Sequence, residues 1–297
     1  MDRIAEMRTL VAVADAASFS EAAQRLGLSP PTVTRSIAAL ERRLGARLVA
    51  RTTRSLRLTE AGLQFVEDAR RALGEIEAAE QSAAGRHARA RGTLRLTAPV
   101  LFGEQHVAPV VADFVQRHPL VSVDLLLLDR YVNLVEEGVD AGIRIGELPD
   151  SSLVATRLGE VRPLVVASPA WLARHGTPTR PEQLRDAEGI CFSGERESDW
   201  VFVQDGRRLR VPVRGRLGFN HPGAALRACE ASAGIGWFLS YQVRDALQAG
   251  RLMAVLPDFG TVSQTVQWVM PQARLVPARL RALADAAAAA LRPVLTS

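Results

Sequence analysis

The sequence predicts a mixed fold, with an all-α N-terminal part, one long helix and an α/β C-terminal part. The first observation is a helical spacing of apolar residues through residues 1–44. The second is a heptad-like seam between residues 65 and 83. The third is an alternation of strand-like and helical segments from Thr93 onward, which favours parallel sheets with crossover connections.

The first predicted helix covers residues 1–16. It is expected to pack against the two helices that follow and to complete a three-helix core. Its inward face is predicted to carry the apolar residues Ile4, Met7, Leu10, Val11 and Ala14.

Two short helices with clear start and stop signals follow. Ser18 and Glu21 have the spacing of a capping box, in which each side chain satisfies an unpaired amide at the helix start. Gly27 is suited to the left-handed backbone that ends a helix. Ser29 is a suitable N-cap for the next helix, and Pro30 suits its first turn.

The second of these helices has two distinct faces. Residues at spacings of four, three and four are expected to point inward: Val33, Ile37, Leu40 and Leu44. Short or forked polar side chains lie off that stripe: Thr32, Thr34, Arg35 and Ser36. Such side chains can contact base edges and phosphates from a helix lying in a major groove.

Positive charge is concentrated in the same stretch. Between residues 18 and 57 the acids are Glu21 and Glu41, whereas the arginines are Arg25, Arg35, Arg42, Arg43, Arg47, Arg51, Arg54 and Arg57. A field of this sign predicts a polyanionic partner. The alternative is an ordinary helix pair with a solvated basic face, and Arg42, Arg43 and Arg47 are interpreted as solvated or paired with Glu41.

The segments AAQRLGLSPPTVTRSIAALERRLGARL and RTTRSLRLTEAG resemble the winged helix-turn-helix of LysR-type transcriptional regulators. Val49 departs from the pattern, because an aromatic residue is usual there. The resemblance implies a DNA-binding domain at 1–58, with a wing of two short strands. The predicted DNA contacts are Ser29, Pro31, Thr32, Thr34, Arg35 and Ser36 on the helix, then Arg51, Thr53 and Arg54 on the wing.

A long helix is predicted from Thr59, which is its candidate cap. Its seam is expected to mediate dimerisation through Phe65, Ala69, Ala72, Ile76 and Ala79. The alternative is a single amphipathic helix that packs on its own domain. The resemblance favours a linker helix at 59–88 that pairs two subunits, followed by a hinge at 89–92.

Residues 93–297 resemble the effector domain of the same family, which is similar to a type 2 periplasmic solute-binding fold. The resemblance implies two Rossmann-like α/β subdomains, one formed by 93–161 with 266–297 and the other by 162–265. The segment patterns include the following predictions: strands at 93–99, 121–128, 140–145, 163–167, 191–192, 200–203, 208–215, after 234–236 and at 267–270, and helices at 104–117, 131–137, from Ser168, at 222–233 and at 277–291.

By position in the family pattern, an effector cleft is expected where strands end. Its predicted lining residues are Pro99, Val100, Leu101, Phe102, Arg144, Phe192, Ser193 and Asn220. Arg144 suits a carboxylate, but a structural arginine at a strand end is the alternative. Ala98 and Val100 flank Pro99 where a hydroxyl residue is usual, so a partly apolar or aromatic effector is favoured.

Composition excludes several other classes of protein. The length of 297 residues allows about two domains. The hydrophobic share of 47% is enough to form buried cores. No window approaches the roughly 18 uninterrupted apolar residues of a membrane helix, and the N-terminus does not resemble a signal peptide, so a cytoplasmic protein is expected. All 37 basic residues are arginine, a bias that a GC-rich genome also explains.

Neither a cofactor nor a metal ion is predicted. Cys191 and Cys229 are too few for a disulfide framework, and a redox switch is a minor alternative. The five histidines have no metal-ligand spacing, and the sequence contains no phosphate loop or nucleophile elbow.

These observations predict a DNA-binding regulator that performs no chemistry. It is expected to bind a pseudo-palindromic operator as a homodimer or homotetramer, to respond to a small-molecule effector and to alter access of RNA polymerase. Two alternatives remain open at this point: an α/β enzyme with a DNA-binding appendage, and an architectural DNA-binding protein without an effector.

Overall fold

The computed structural model describes residues 2–51, 56–83, 90–148, 153–192, 196–272 and 276–295. These residues form two compact units. The N-terminal unit contains the described residues up to 90 together with 135–138 and 276–281, and the C-terminal unit contains the other described residues. Several predicted sites lie outside the described residues: Thr53, Arg54, Ser193 and the start of the predicted hinge. The description of Arg51 and Ala79 does not extend to their side chains.

The N-terminal unit contains a helical core and a short antiparallel hairpin. Its elements in chain order are α1 (Arg3–Ala16), α2 (Phe19–Leu26), α3 (Pro30–Leu44), β1 (Val49–Arg51), β2 (Leu56–Leu58) and α4 (Glu60–Ala83). The predicted two-stranded wing is therefore present, with Val49 opposite Leu58.

Local hydrogen bonds explain where α2 and α3 begin and end. The Ser18 hydroxyl accepts from the Glu21 amide at 3.4 Å, and the Ser29 hydroxyl accepts from the Thr32 amide at 3.3 Å. Gly27 ends α2 in the left-handed conformation at φ 65°. The carboxylate of Glu21 binds Arg25 at 2.5 Å, so only the serine half of the predicted capping box forms.

The core of this unit joins the first three helices, the hairpin and the start of α4. Its buried members are Leu10, Val13, Ala22, Ala23, Val33, Ile37, Leu40, Leu48, Val49 and Val66. The prediction for α1 was partly wrong, because its buried face contains Glu6, Thr9 and Val13 as well as Leu10. The prediction that Leu44 points inward was also wrong, because its position in the last turn of α3 leaves it 38% exposed.

The C-terminal unit is α/β. Its helices and helical turns are α5 (Val100–Phe102), a π-helical turn (Gly103–Val107), α6 (Ala108–Arg117), α7 (Pro169–His175), a 3-10 turn (Pro181–Asp186), α8 (Pro222–Glu230), α9 (Ser240–Gln248) and α10 (Ala278–Leu295). Its strands are β3 (Gly92–Ala98), β4 (Val121–Leu127), β5 (Ala141–Ile145), β6 (Leu153–Val161), β7 (Pro163–Ala167), β8 (Gly189–Phe192), β9 (Glu197–Gln204), β10 (Arg207–Arg214), β11 (Leu217–Phe219), β12 (Ile235–Leu239), β13 (Met253–Val255), β14 (Gly260–Thr261) and β15 (Gln264–Pro271).

Two five-stranded sheets organise this unit into two subdomains. Their strand orders are β4-β3-β5-β15-β6 and β11-β8-β12-β7-β13, and β10-β9-β14 form a smaller sheet. Both large sheets are mixed, because β15 runs antiparallel to β5 and β6, and β7 runs antiparallel to β12 and β13. The chain passes from one large sheet to the other at Arg162, between β6 and β7, and returns before β15.

Three segment predictions for this unit require correction. The helix predicted from Glu104 begins at Val100 and includes the π-helical turn. Residues 131–137 form no helix, because Val132 and Leu134 are buried against Val269 as an irregular segment with a turn. The strand predicted at 267–270 is twice as long, and neither β6 nor α9 was predicted.

Candidate DNA-binding surface and effector cleft

The predicted DNA contacts on the outer side of α3 differ in their exposure to solvent. Pro31 and Arg35 are exposed, whereas Thr32, Thr34 and Ser36 are half-buried. The Arg35 guanidinium has only long local contacts, at 3.4 Å to the Pro31 carbonyl and 3.5 Å to the Thr32 hydroxyl. Contacts of this length leave the guanidinium ready to bind an external acceptor.

Ser29 stands at the start of the same helix with its oxygen partly engaged. Its hydroxyl lies 2.8 Å from the Thr32 hydroxyl and also caps the Thr32 amide. The N-terminus of α3, including Pro31, therefore presents a preorganised turn. Helix N-termini of this kind attract phosphate groups.

The arginines near the end of α3 have different roles. Arg43 binds Glu6 of α1 through two contacts, at 3.0 and 3.2 Å, and the Glu6 side chain is only 6% exposed. Glu41 accepts instead from the backbone amides of Leu48 and Val49. The sequence analysis left open whether Arg43 is solvated or paired with Glu41, whereas the structure pairs it with Glu6. The spacing of 37 residues between Arg43 and Glu6 left no local signal.

The hairpin carries further positive charge beside this surface. Arg57 lies on β2, opposite Ala50 on β1, and both residues are exposed. Contacts from such a hairpin to phosphates position a protein on DNA and make its affinity dependent on salt.

The seam predicted on α4 divides into two parts. Ala69 is 1% exposed within the single chain, and Phe65 packs against the core of the N-terminal unit. Ala69 is therefore not available to a partner subunit, which corrects its predicted role. Ala72 and Ile76, further along the helix, are half-buried.

In the C-terminal unit, the ends of neighbouring strands come together at the start of α5. The Leu128 amide donates to the Ala98 carbonyl at 2.9 Å, which places the ends of β3 and β4 side by side. The carboxylate of Asp129 accepts from the Val100 amide at 3.0 Å. Pro99 and Val100 are half-buried at this edge. Asp129 was missed by the sequence analysis, although its position directly after a predicted strand was a usable signal.

The two subdomains meet through an aromatic cluster that the sequence analysis also missed. The rings of Phe102 and Tyr241 are perpendicular with centroids 5.2 Å apart. His106, on the π-helical turn, lies 5.0 Å from Phe102 and 5.8 Å from Tyr241. Phe102 is fully buried and Leu101 is 8% exposed, so these two predicted effector contacts are packed inside the C-terminal unit.

The other predicted effector contacts lie at separate strand ends. Phe192 ends β8, and its ring packs edge-on against Phe238 at 5.6 Å. Asn220 is exposed just before α8. Arg144 is half-buried on β5, where Gln267 of β15 is opposite it.

We expect acidification to destabilise the C-terminal unit through His106. The pKa of His106 is lowered by burial first, and by the nearby positive charge of Arg244, while Asp245 opposes the shift. Above about pH 6.5 the histidine is neutral whether the chain is folded or unfolded. Below that pH the unfolded chain takes up a proton that the folded chain resists, so the free energy of unfolding falls until the pH reaches the folded pKa.

The measurement is the free energy of unfolding from pH 7.5 to pH 5 for the wild type and for His106→Gln. The wild type should lose stability over this range. The variant should lose less over the same range. Identical pH profiles would show that His106 does not carry this dependence.

The described residues offer no support for metal or thiol chemistry. Within the described ranges, no group of three or more His, Cys, Asp or Glu side chains is placed to hold a metal ion. Cys191 and Cys229 are both buried, and neither forms a disulfide within the described residues. Burial raises the pKa of the Cys229 thiol to about 12, which disfavours the reactive thiolate.

Comparison with known families agrees with both units. A profile described as "Bacterial regulatory helix-turn-helix protein, lysR family" matches residues 4–63, and one described as "LysR substrate binding domain" matches residues 87–292. Among the described residues, no helix combines the length and apolar character needed to span a membrane.

Individual relatives match along nearly the whole chain. The probable HTH-type transcriptional regulator LtrA of Klebsiella pneumoniae is 33% identical over 290 residues, covering 96% of this chain and 94% of LtrA. The HTH-type transcriptional regulator PtxR of Pseudomonas aeruginosa is 34% identical over 276 residues, covering 93% of this chain and 88% of PtxR.

Solved structures of LysR-type regulators also match nearly the whole chain. CrgA, a LysR-type transcriptional regulator from Neisseria meningitidis, is 30% identical with a TM-score of 0.63, covering 97% of this chain and 98% of CrgA. The full-length virulence activator AphB of Vibrio cholerae is 25% identical with a TM-score of 0.62, covering 98% and 100%.

A helix-turn-helix unit joined to a two-subdomain ligand-binding unit defines a DNA-binding transcriptional regulator controlled by a small-molecule effector. The chain belongs to the LysR family of such regulators. Neither the enzyme nor the architectural alternative finds support, because its relatives are transcriptional regulators.

Proposed function

We propose that this regulator binds a pseudo-palindromic operator as a dimer or a dimer of dimers, with α3 of each subunit in a major groove. The observation that carries the proposal is the exposed Arg35 on a capped helix within a basic unit. Pro31, Thr32, Thr34 and Ser36 are the proposed neighbouring contacts. Ser29 and the hairpin residues Arg51, Thr53 and Arg54 are proposed to bind phosphates.

A dimer suits this geometry because two copies of α3 then meet two half-sites of one operator. The proposed pairing surface on α4 runs through Ala72, Ile76 and Ala79, beyond the part that the subunit's own core covers. We place the regulator in the cytoplasm, where its operator and RNA polymerase are both present.

The effector is proposed to bind where the strand ends of the two subdomains face each other. Pro99, Val100, Arg144, Ser193 and Asn220 are the proposed contacts. A partly apolar carboxylate fits the mixture of apolar residues and one arginine. Its binding would favour one arrangement of the DNA-binding units through a coupling of about 1–3 kcal/mol, without chemical turnover. Thermal-shift screening of carboxylates and small aromatics is the direct route to its identity.

Arg35→Ala is expected to weaken binding to the operator by about 1–3 kcal/mol and to relax specificity at one base pair of each half-site. The reason is that a guanidinium binds the two acceptors of guanine at once, which alanine cannot replace. The operator is obtained by selecting random DNA with the purified chain. Dissociation constants are then measured on that operator and on a random duplex at one salt concentration.

Arg42→Ala is the matched control, since it removes the same charge from the same helix at another exposed position. It should weaken both duplexes to a similar and smaller extent. If Arg35→Ala also weakened both duplexes equally, Arg35 would be a phosphate contact rather than a base contact. A selection that enriched no common sequence would contradict the proposed operator binding itself.

A further inference from the structure

The turn between α3 and the hairpin is held by a side chain of the recognition helix. A carboxylate oxygen of Glu41 accepts hydrogen bonds from the Leu48 amide at 2.8 Å and from the Val49 amide at 3.0 Å. Leu48 is 1% exposed and Val49 is 3% exposed. Because a buried amide without a partner is costly, Glu41 ties the end of α3 to the residues that begin the hairpin.

The same turn is tied to the first turn of α4. The Thr59 amide donates to the Leu48 carbonyl at 3.0 Å, and the Thr59 hydroxyl donates to the Arg47 carbonyl at 2.7 Å. The Gly62 amide donates in turn to the Thr59 hydroxyl at 3.0 Å. Residues 47–48 are therefore bound on one side by α3 and on the other side by α4.

Gly62 allows an unusually close approach at this point. A Cβ atom at Gly62 would lie 2.0 Å from the Leu48 carbonyl oxygen, well inside contact distance. The absence of a side chain lets the first turn of α4 lie directly on the backbone of Leu48. We call Glu41, Thr59 and Gly62 together the joint.

We propose that the joint fixes the orientation of α3 relative to α4 and thereby determines which half-site spacing the dimer accepts. This inference rests on the proposed dimeric binding to an operator. In it, Glu41, Thr59 and Gly62 are positioning residues that act through the placement of α3.

The length of α4 makes orientation at the joint important. Its 24 residues span about 36 Å, so a tilt of about 10° at one end displaces the other end by about 6 Å. That displacement exceeds the rise of roughly 3.4 Å for one base pair. If the pairing surface lies along α4, a loose joint lets the two copies of α3 reach several spacings, and a rigid joint restricts them to one.

The experiment compares the full-length wild type, Glu41→Ala and Glu41→Gln on one series of duplexes. Each duplex contains the two inverted half-sites selected by the wild type, and the centre between them is lengthened or shortened by one base pair at a time. Dissociation constants are measured by fluorescence anisotropy at one salt concentration. Glu21→Ala is the matched control, because it removes one carboxylate that forms only an exposed ion pair with Arg25.

The wild type should bind its best spacing about tenfold more tightly than the spacings one base pair away, because simultaneous engagement depends on geometry. Glu41→Ala should reduce that preference to about twofold. Glu41→Gln should retain the wild-type profile, since its amide oxygen still accepts from both backbone amides. Glu21→Ala should also retain it.

A loss in Glu41→Ala that is equal at every spacing would overturn the inference, because it would mean that Glu41 only stabilises the unit. If Glu41→Ala does not fold, Thr59→Ala provides the same comparison with a smaller change. A wild type that associates and binds the selected duplex without any spacing optimum would refute the joint's role. A wild type that stays monomeric and ignores the selected duplex would instead refute the proposed function.

Discussion

Gly62→Ala is expected to destabilise the N-terminal unit by about 3 kcal/mol and to weaken DNA binding with it. The added methyl group would lie 2.0 Å from the carbonyl oxygen of Leu48 and 2.9 Å from its carbonyl carbon. Both atoms belong to the backbone, so the clash is not relieved by a side-chain rotation. The first turn of α4 must move away from Leu48, which breaks the hydrogen bond from Thr59 and opens the core beside Val66.

Gly74→Ala is a control within the same helix. A Cβ atom at Gly74 meets nothing within 4 Å. Alanine is preferred to glycine inside a helix, so this variant should be stabilised by about 0.5–1 kcal/mol. Hydrogen–deuterium exchange of peptides from residues 2–51 in the full chain measures both changes locally. Equal protection in the two variants would contradict the close approach of Gly62 to Leu48.

Arg43→Ala is expected to lower the stability of the N-terminal unit by about 2–3 kcal/mol. The Glu6 carboxylate is 6% exposed, and Arg43 supplies two hydrogen bonds to one of its oxygens. Removing Arg43 leaves a buried negative charge without its cation. The figure lies at or below the low end for a broken buried pair because the Arg43 side chain is itself 33% exposed.

Arg42→Ala is the control for this prediction. It removes the same charge and the same helix-forming side chain but leaves the Arg43–Glu6 pair in place. Arg42 is exposed and next to Arg43 in α3, and its removal should change stability by less than about 0.5 kcal/mol. Adding Glu6→Gln to Arg43→Ala should recover part of the loss, because the buried group is then neutral. The free energy of unfolding of the two single variants and the double variant is measured by chemical denaturation. Hydrogen–deuterium exchange of peptides from residues 2–51 then assigns the change to the N-terminal unit. No recovery in the double variant would show that packing of the Arg43 stem is responsible.

Local chemistry made much of the N-terminal unit predictable. Ser18 and Ser29 start helices because their hydroxyls satisfy amides three residues away, and Gly27 ends one because glycine adopts a positive φ readily. Each signal lies within one turn of the residue on which it acts. The exposed position of Arg35 follows in the same way from the spacing of the apolar residues around it.

The C-terminal unit was less predictable where packing overrides pattern. Residues 131–137 have apolar residues at helical spacing, yet Val132 and Leu134 reach the core through an irregular segment. Phe102 had the position of an effector contact, but its ring is buried against Tyr241, which lies 139 residues later in the chain. The residues next to Phe102 in the sequence give no sign of this contact, because Tyr241 belongs to the other subdomain.

The sequence by itself determined the helix boundaries around the recognition helix, the basic charge beside it and the two-part architecture. Hydrogen bonds between near neighbours and the periodicity of apolar residues are written into adjacent positions, so they can be read without coordinates. Only the tertiary structure decided that Arg43 binds Glu6, that Ala69 is buried and that Glu41 holds the turn before the hairpin. Those choices depend on which distant surfaces meet when the chain folds, and many arginine–acid pairings have the same sequence pattern.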